Sequence, residues 1–221
     1  MNILVIAPHP DDEVLGCGGI IAKRVAQGHR VCVCIVTEGK PPMYSKKYVQ
    51  HEEKEIKNAH KNLGIEETIM LKFPSAHLDK IARHKINDAL IDIVKLFEPD
   101  EVFIPHIGDI HKDHQIVAES SMVALRPRST QSIKRILSYE VLSETDWNIP
   151  NSINAFIPNI YEDISEYIDK KIESILMYKS QLHKYPEARS IEGINALAVH
   201  RGVTVGVNKA EAFMLIREVA R

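Results

Sequence analysis

Four short apolar runs, residues 2–7, 31–36, 68–71 and 101–105, alternate along this chain with segments whose apolar residues recur at helical spacing. Little chain separates one from the next. Neighbouring parallel strands need a crossover, usually a helix, so this alternation restricts the chain to βαβ units and a parallel sheet. Helices are predicted over residues 13–27, 48–63, 81–97 and 113–125. Gly28 and Gly64 stand where the first two should close in the left-handed conformation, and Pro99 ends the third. Further on, residues 135–142 alternate as a strand does and 164–179 return to helical spacing, while 143–159, which hold Trp147, follow neither period. At 221 residues the chain can bury one sizeable core, and neither a repeat nor a low-complexity stretch divides it. The expectation is one Rossmann-like α/β domain over residues 1–221, a three-layer sandwich around a mainly parallel sheet.

Charge and cysteine usage narrow the function. A net charge of −2 argues against a nucleic-acid binder that works by neutralising phosphates. The apolar runs are strand-sized, far short of the roughly 20 residues of a membrane span. Asp11-Asp12-Glu13 interrupts anything resembling a secretory signal, so a cytoplasmic protein with no transmembrane segment is expected. Three cysteines are too few for a disulfide framework. Cys32 and Cys34, alternate residues of one strand, should face the same side as small buried apolar groups.

Open α/β sheets place ligands just outside the carboxyl ends of their strands. Two clusters of reactive side chains lie at such ends. Pro8-His9-Pro10-Asp11-Asp12-Glu13 follows the first run, and His106-Ile107-Gly108-Asp109-Ile110-His111-Lys112-Asp113-His114 follows the fourth. His9 and Asp12 are three residues apart where strand turns into helix, which lets both converge on one point while Asp11 projects elsewhere. A catalytic zinc takes three protein ligands and keeps one position open. His9, Asp12 and one histidine of the second cluster supply that set. The other imidazole can then face a substrate, and Asp113 is placed to support an imidazole or to cap its own helix.

Pro-His-Pro-Asp-Asp-Glu, the following Gly16-Cys17-Gly18-Gly19 and the later His-x-Asp-His together resemble the PIG-L or LmbE-like family of zinc-dependent N-acetylglucosaminyl deacetylases. Thr37-Glu38-Gly39, Leu63-Gly64, Pro105-His106, Arg201-Gly202 and Glu211-Ala212-Phe213 extend the likeness along most of the chain. The resemblance implies that His9, Asp12 and His114 bind the metal, that Asp11 is the general base, and that His111 stabilises the oxyanion. It implies zinc, with iron(II) or another divalent ion acceptable to the same ligands. The substrate would be a small amino-sugar conjugate that loses acetate, with Glu38, Asp109, His200 and Arg201 as candidate contacts. One departure concerns the second helix, where many relatives carry an arginine and this chain reads Val49-Gln50-His51-Glu52-Glu53-Lys54-Glu55. The loops over 39–47 and 143–159 are where specificity for the rest of the conjugate should lie. A homo-oligomer is possible.

Competing readings are weaker. An Asp pair before a helix can be a simple N-cap, and His106 and Asp109 can be purely structural. The Gly16 to Gly19 stretch sits where a dinucleotide fingerprint would, but the third glycine would fall at Ile21, and carboxylates occupy the turn a pyrophosphate must approach. There is no P-loop, and Cys17 has no base nearby in sequence to activate it. A metal-dependent phosphoesterase could use the same groups but would commonly want a second metal. A sugar- or nucleotide-binding module with a structural metal would close the fourth coordination position.

Overall fold

The computed structural model describes residues 1–127 and 133–220. Seven strands form one sheet in the order β3-β2-β1-β4-β5-β7-β6. They are β1 (Asn2–Ala7), β2 (Arg30–Glu38), β3 (Glu67–Pro74), β4 (Glu101–Pro105), β5 (Arg135–Tyr139), β6 (Ile160–Asp163) and β7 (Ala210–Glu218). The first five run parallel, and β7 is antiparallel to both its neighbours. Six helices accompany them: α1 (Asp12–Ala26), α2 (Lys46–Leu63), α3 (Arg83–Phe97), α4 (Lys112–Ala124), α5 (Ile168–Ile175) and α6 (Ile191–Val205).

The pleat of the central strands sorts their side chains into two cores. Ile3, Val5 and Ala7 pack with Val14, Cys17 and Ile20 of α1 and with Ile56, Ala59 and Leu63 of α2. Leu4 and Ile6, pointing the other way, pack with Cys32, Cys34, the α3 residues Ile86 and Leu90, and Ile116 and Val117 of α4. A sheet buried on both faces explains why its strands read as unbroken apolar runs. The three-layer α/β sandwich expected from the sequence is therefore observed. Cys32 and Cys34 are free and buried, and burial pushes both thiols up. No helix among the described residues is long and apolar enough to cross a membrane.

Local chemistry sets the first two helix ends. Gly28, just past α1, and Gly64, which caps α2, adopt φ of 76° and 75°, where a side chain would be strained. The glycines inside α1 serve packing instead. A Cβ on Gly16 would lie 2.3 Å from the Tyr139 ring, and one on Gly19 would lie 2.7 Å from Ile164. These contacts let α1 sit close against β5 and the turn before α5.

The second half departs from the sequence expectation. The strand expected over 135–142 ends at Tyr139, and the helix expected over 164–179 shrinks to α5. Beyond α5 the chain turns so that Tyr178 is fully buried. The strands β6 and β7 and the helix α6 lie where no periodicity was read. α6 leaves Val199, Val203 and Val205 exposed, so its apolar residues do not form one stripe, and β7 breaks the βαβ rhythm by running antiparallel.

Candidate active site

β1 is the strand from which the sheet order departs in two directions, toward β2 on one side and β4 on the other. Such a switch point opens a crevice at the carboxyl ends of the strands. The loop after β1 carries His9 to Asp11, and the loop after β4 carries residues 106–111, so both clusters emerge from neighbouring strands. Thr37 fastens the first loop by donating its backbone N–H (3.0 Å) and hydroxyl (2.8 Å) to the Pro8 carbonyl.

The folded chain brings together His9 and His114, which are 105 positions apart, with their Nδ1 and Nε2 atoms at 3.2 Å. Asp12 Oδ2 lies 3.2 Å from the first nitrogen and 3.1 Å from the second. The same oxygen accepts the His9 backbone N–H at 2.9 Å. Asp12 Oδ1 is buried and has no hydrogen-bond partner among the described residues.

Each imidazole leans on a further carboxylate through its other nitrogen. His114 Nδ1 is 2.8 Å from Asp109 Oδ2, and Thr145 Oγ1 donates to Asp109 Oδ1 at 2.6 Å. His9 Nε2 is 3.3 Å from Asp113 Oδ2, and Asp113 is itself fixed by the backbone N–H groups of Ala76 (2.7 Å) and Leu78 (3.1 Å). With those outer nitrogens donating, the inner ones keep lone pairs aimed at a common point.

The electrostatics ask for positive charge at that point. Burial opposes protonation of both imidazoles, yet Asp113 and Asp12 raise His9 to about 9, and Asp12 and Asp109 raise His114 to about 10. Burial also works against ionised Asp12, but His114 and His9 hold it well below the usual carboxylate range. Convergent lone pairs, an orphaned carboxylate oxygen and a surplus of negative charge are what a divalent cation satisfies, so this trio fits a metal ion. His9, His111 and Asp113 form a second cluster of donor types. It shares His9, its Asp113 oxygens already accept backbone N–H groups, and His111 Nδ1 accepts the Asp113 N–H at 3.1 Å. Of the two, only the first keeps a buried carboxylate oxygen, Asp12 Oδ1, without a hydrogen-bond partner among the described residues.

Asp11 and His111 flank the trio without belonging to it. Asp11 precedes α1 with φ 105°, and its side chain makes no capping hydrogen bond, so the simple N-cap reading does not hold. Backbone strain of this kind costs on the order of 1–3 kcal/mol and persists only where the surroundings impose it. Here Glu13 Oε2 accepts the Asp11 N–H at 3.1 Å, while Glu13 Oε1 accepts from Tyr178 Oη (2.6 Å) and His60 Nε2 (3.1 Å). Asp11 Oδ2 is held 2.8 Å from Nη1 of Arg189, whose Nε donates to Ser143 Oγ (2.8 Å) and whose Nη2 donates to Glu144 Oε1 (3.1 Å). Burial pushes the Asp11 carboxyl well above its usual range against the pull of Arg189. His111 goes the other way: burial, then the neighbouring His9 and His114, bring it down to about 4, so it is neutral near pH 7. Because its Nδ1 accepts a backbone N–H, its proton sits on Nε2.

These groups border an open pocket of about 190 Å³, lined also by Tyr44, Tyr48, Glu52, Glu144, Gln181 and Arg189. Four candidate contacts lie outside that lining. Asp109 is fully buried beneath His114, Glu38 is ion-paired with Lys40 and Lys72, and His200 is exposed on α6. Arg201 is gripped by Glu140 through two bonds of 2.8 and 2.6 Å. None of the four candidate contacts borders this pocket: each is bound to the protein's own groups or turned to solvent. His106 packs on Phe156 and bonds to the Asn154 carbonyl at 3.0 Å, a structural role. Asp113 braces His9, and the cap of α4 is made by His111 instead. Arg189 was missed, because it lies in a turn-rich stretch with no motif around it, 178 positions from Asp11.

The fold and this site define an α/β enzyme. A family model described as PIG-L, GlcNAc-PI de-N-acetylase, matches residues 4–125. The chain belongs to the PIG-L family of deacetylases. YaiS, an uncharacterized deacetylase of Escherichia coli (strain K12), is 33% identical over 188 residues, covering 81% of this chain and 91% of that one. A probable N-acetyl-alpha-D-glucosaminyl L-malate deacetylase 2 of Bacillus cereus is 26% identical, covering 81% of this chain and 83% of its own. The crystal structure of the conserved protein TT1542 from Thermus thermophilus superposes with a TM-score of 0.79 at 28% identity, covering 99% of this chain and 96% of that one.

Proposed function

We propose that this chain hydrolyses the N-acetyl group of an N-acetylglucosamine-type sugar conjugate, releasing acetate and a free amine, with one divalent metal, zinc by preference, held by His9, Asp12 and His114. The observation that carries the reading is Asp12, whose Oδ2 lies 3.2 and 3.1 Å from the inner nitrogens of two imidazoles braced from outside by Asp113 and Asp109, and whose buried Oδ1 has no hydrogen-bond partner among the described residues. A cation there would supply Lewis acidity, polarising the acetamide carbonyl and bringing the pKa of water from 15.7 down toward about 7.

The protein's own groups do the rest. Asp11 accepts a proton from the attacking water, with Arg189 fixing Oδ2 so that the other oxygen stays aimed at the reaction. As the water oxygen bonds to the carbonyl carbon, charge develops on the carbonyl oxygen. The Nε2–H of neutral His111 donates to it. Asp11 then passes its proton to the amide nitrogen, the carbon–nitrogen bond breaks, and the amine leaves with acetate as the other product. A phosphoesterase would commonly want two cations, and the two donor groups among the described residues share His9, so they do not offer two independent sites.

The test is acetate release from a panel of N-acetylglucosamine conjugates by metal-stripped protein, before and after zinc is added back. Restored release supports the proposal, and phosphate release from generic esters without acetate release overturns it. Within the same assay His111→Ala is expected to lower kcat by about 100- to 1000-fold while zinc content holds. Asp109→Asn is expected to weaken zinc binding by about 10-fold or more in competition with a chromophoric chelator, because His114 loses its charged brace.

A further inference from the structure

Asp11, His111 and the metal trio account for one side of the pocket, leaving Tyr44, Tyr48, Glu52 and Gln181 to meet whatever the acetylated sugar is attached to. That wall carries an unusual charge arrangement. Three carboxylates line the pocket, Asp11, Glu52 and Glu144, against one arginine, and Arg189 spends its donors on Asp11, Ser143 and Glu144. None of the five lysines of α2 lines the pocket. The nearby Lys40 and Lys72 pair with Glu38, and Lys72 also with Glu53.

Glu52 pairs with no lysine or arginine among the described residues, and His9 is the cationic group that acts on it from a distance. It is 7% exposed and forms no ion pair among the described residues; the Tyr48 hydroxyl is its polar neighbour. Burial raises its carboxyl to about 7. Burying an unpaired carboxylate is costly, and such a cost at a pocket wall is the kind of expense a protein carries for binding. The rings of Tyr44 and Tyr48 stand beside it with centroids 5.3 Å apart, both half-buried, and aromatic faces attract ammonium groups.

We infer that the pocket selects N-acetylglucosamine conjugates whose remaining part carries a positive charge, an amine, and that Glu52 receives that ammonium between Tyr44 and Tyr48. The inference rests on the deacetylase reading above. An anionic conjugate would set a carboxylate or phosphate against Glu52, while the one arginine among the described lining residues is already bound to Asp11, Ser143 and Glu144, and like charges brought together in a desolvated pocket are strongly disfavoured.

The experiment measures kcat/KM for three glycosides of N-acetylglucosamine that differ only in their aglycone: 2-aminoethyl, 2-hydroxyethyl and carboxymethyl. The zinc-loaded protein is expected to favour the amine over the acid by about tenfold or more, with the neutral glycoside between them. In Glu52→Gln the ratio of amine to acid should collapse toward one. Equal rates on all three, or a ratio that survives the substitution, overturn the charge selection while leaving the deacetylase reading intact; acetate release from none of the three overturns both. Folding of the variant gives a second readout. A carboxyl raised to about 7 in the folded state, against 4.5 when unperturbed, destabilises the fold progressively as pH rises past 4.5. Glu52→Gln should therefore melt above the parent protein at pH 8 and level with it at pH 4, and equal melting at both would contradict an unpaired buried carboxylate.

Discussion

Asp11→Asn is expected to lower kcat for acetate release by about a thousandfold, the middle of the range for loss of a general acid–base group. The amide is nearly isosteric and can still accept a hydrogen bond from Arg189, so the strained turn held by Glu13 has no reason to rearrange. What disappears is a basic oxygen able to take a proton and return it to the departing amine. Zinc content should be unchanged, since Asp11 lies outside the trio. One structural effect needs separating: a half-buried Arg189 loses its full charge partner, and breaking a buried pair costs on the order of 3–5 kcal/mol when nothing compensates. Glu144 and Ser143 still hold the guanidinium, so a smaller loss of stability is expected. Activity within a few-fold of the parent would reduce Asp11 to a tether for Arg189.

The second large effect is loss of the metal itself. Asp12→Ala removes the carboxylate that sits 3.2 and 3.1 Å from His9 and His114, and with it the only anionic ligand of the trio. Zinc affinity is expected to fall by well over 100-fold, since even groups that merely brace a ligand are worth 10- to 100-fold. Acetate release should drop to background, and excess zinc should not restore it. Equilibrium dialysis followed by elemental analysis measures the binding directly, independently of turnover. The substitution also deprives His9 and His114 of their shared counter-ion, so both imidazoles should titrate lower than about 9 and 10, a change visible in the proton spectrum of metal-free protein.

How much of this was legible in the sequence depended on whether its causes are local. The first 125 residues were readable because β1, β2 and β4 bury both faces and announce themselves as apolar runs, the edge strand β3 keeps a shorter one, and helices between strands carry a stripe and an end signal such as Gly28 or Gly64. His9 and Asp12 were readable for the same reason: three positions across a strand-to-helix junction leave them few ways to point. Asp109 was seen, but the sequence left it between a structural role and a substrate contact. Nothing in Gly108-Asp109-Ile110 says that its side chain turns inward beneath His114, because that depends on Thr145 arriving from another loop. Arg189 was invisible, since the segment before α6 has no period and its partner is at the other end of the chain. Arg201 drew attention as part of Arg201-Gly202, one of the stretches that extend the family likeness, and His200 as its neighbour, yet Arg201 answers to Glu140. Elements that close the sheet late, β7 above all, escaped because an antiparallel return after a run of parallel strands has no signature within its own nine residues.

The most direct test of the central claim is an anomalous difference map at the zinc absorption edge from crystals of the zinc-loaded protein. One strong peak is expected, at about 2.0–2.2 Å from His9 Nδ1, His114 Nε2 and an Asp12 carboxylate oxygen, with a further position open toward Asp11 and His111. A peak bound by a different set of side chains, or those three residues in place with no ion between them, would contradict it.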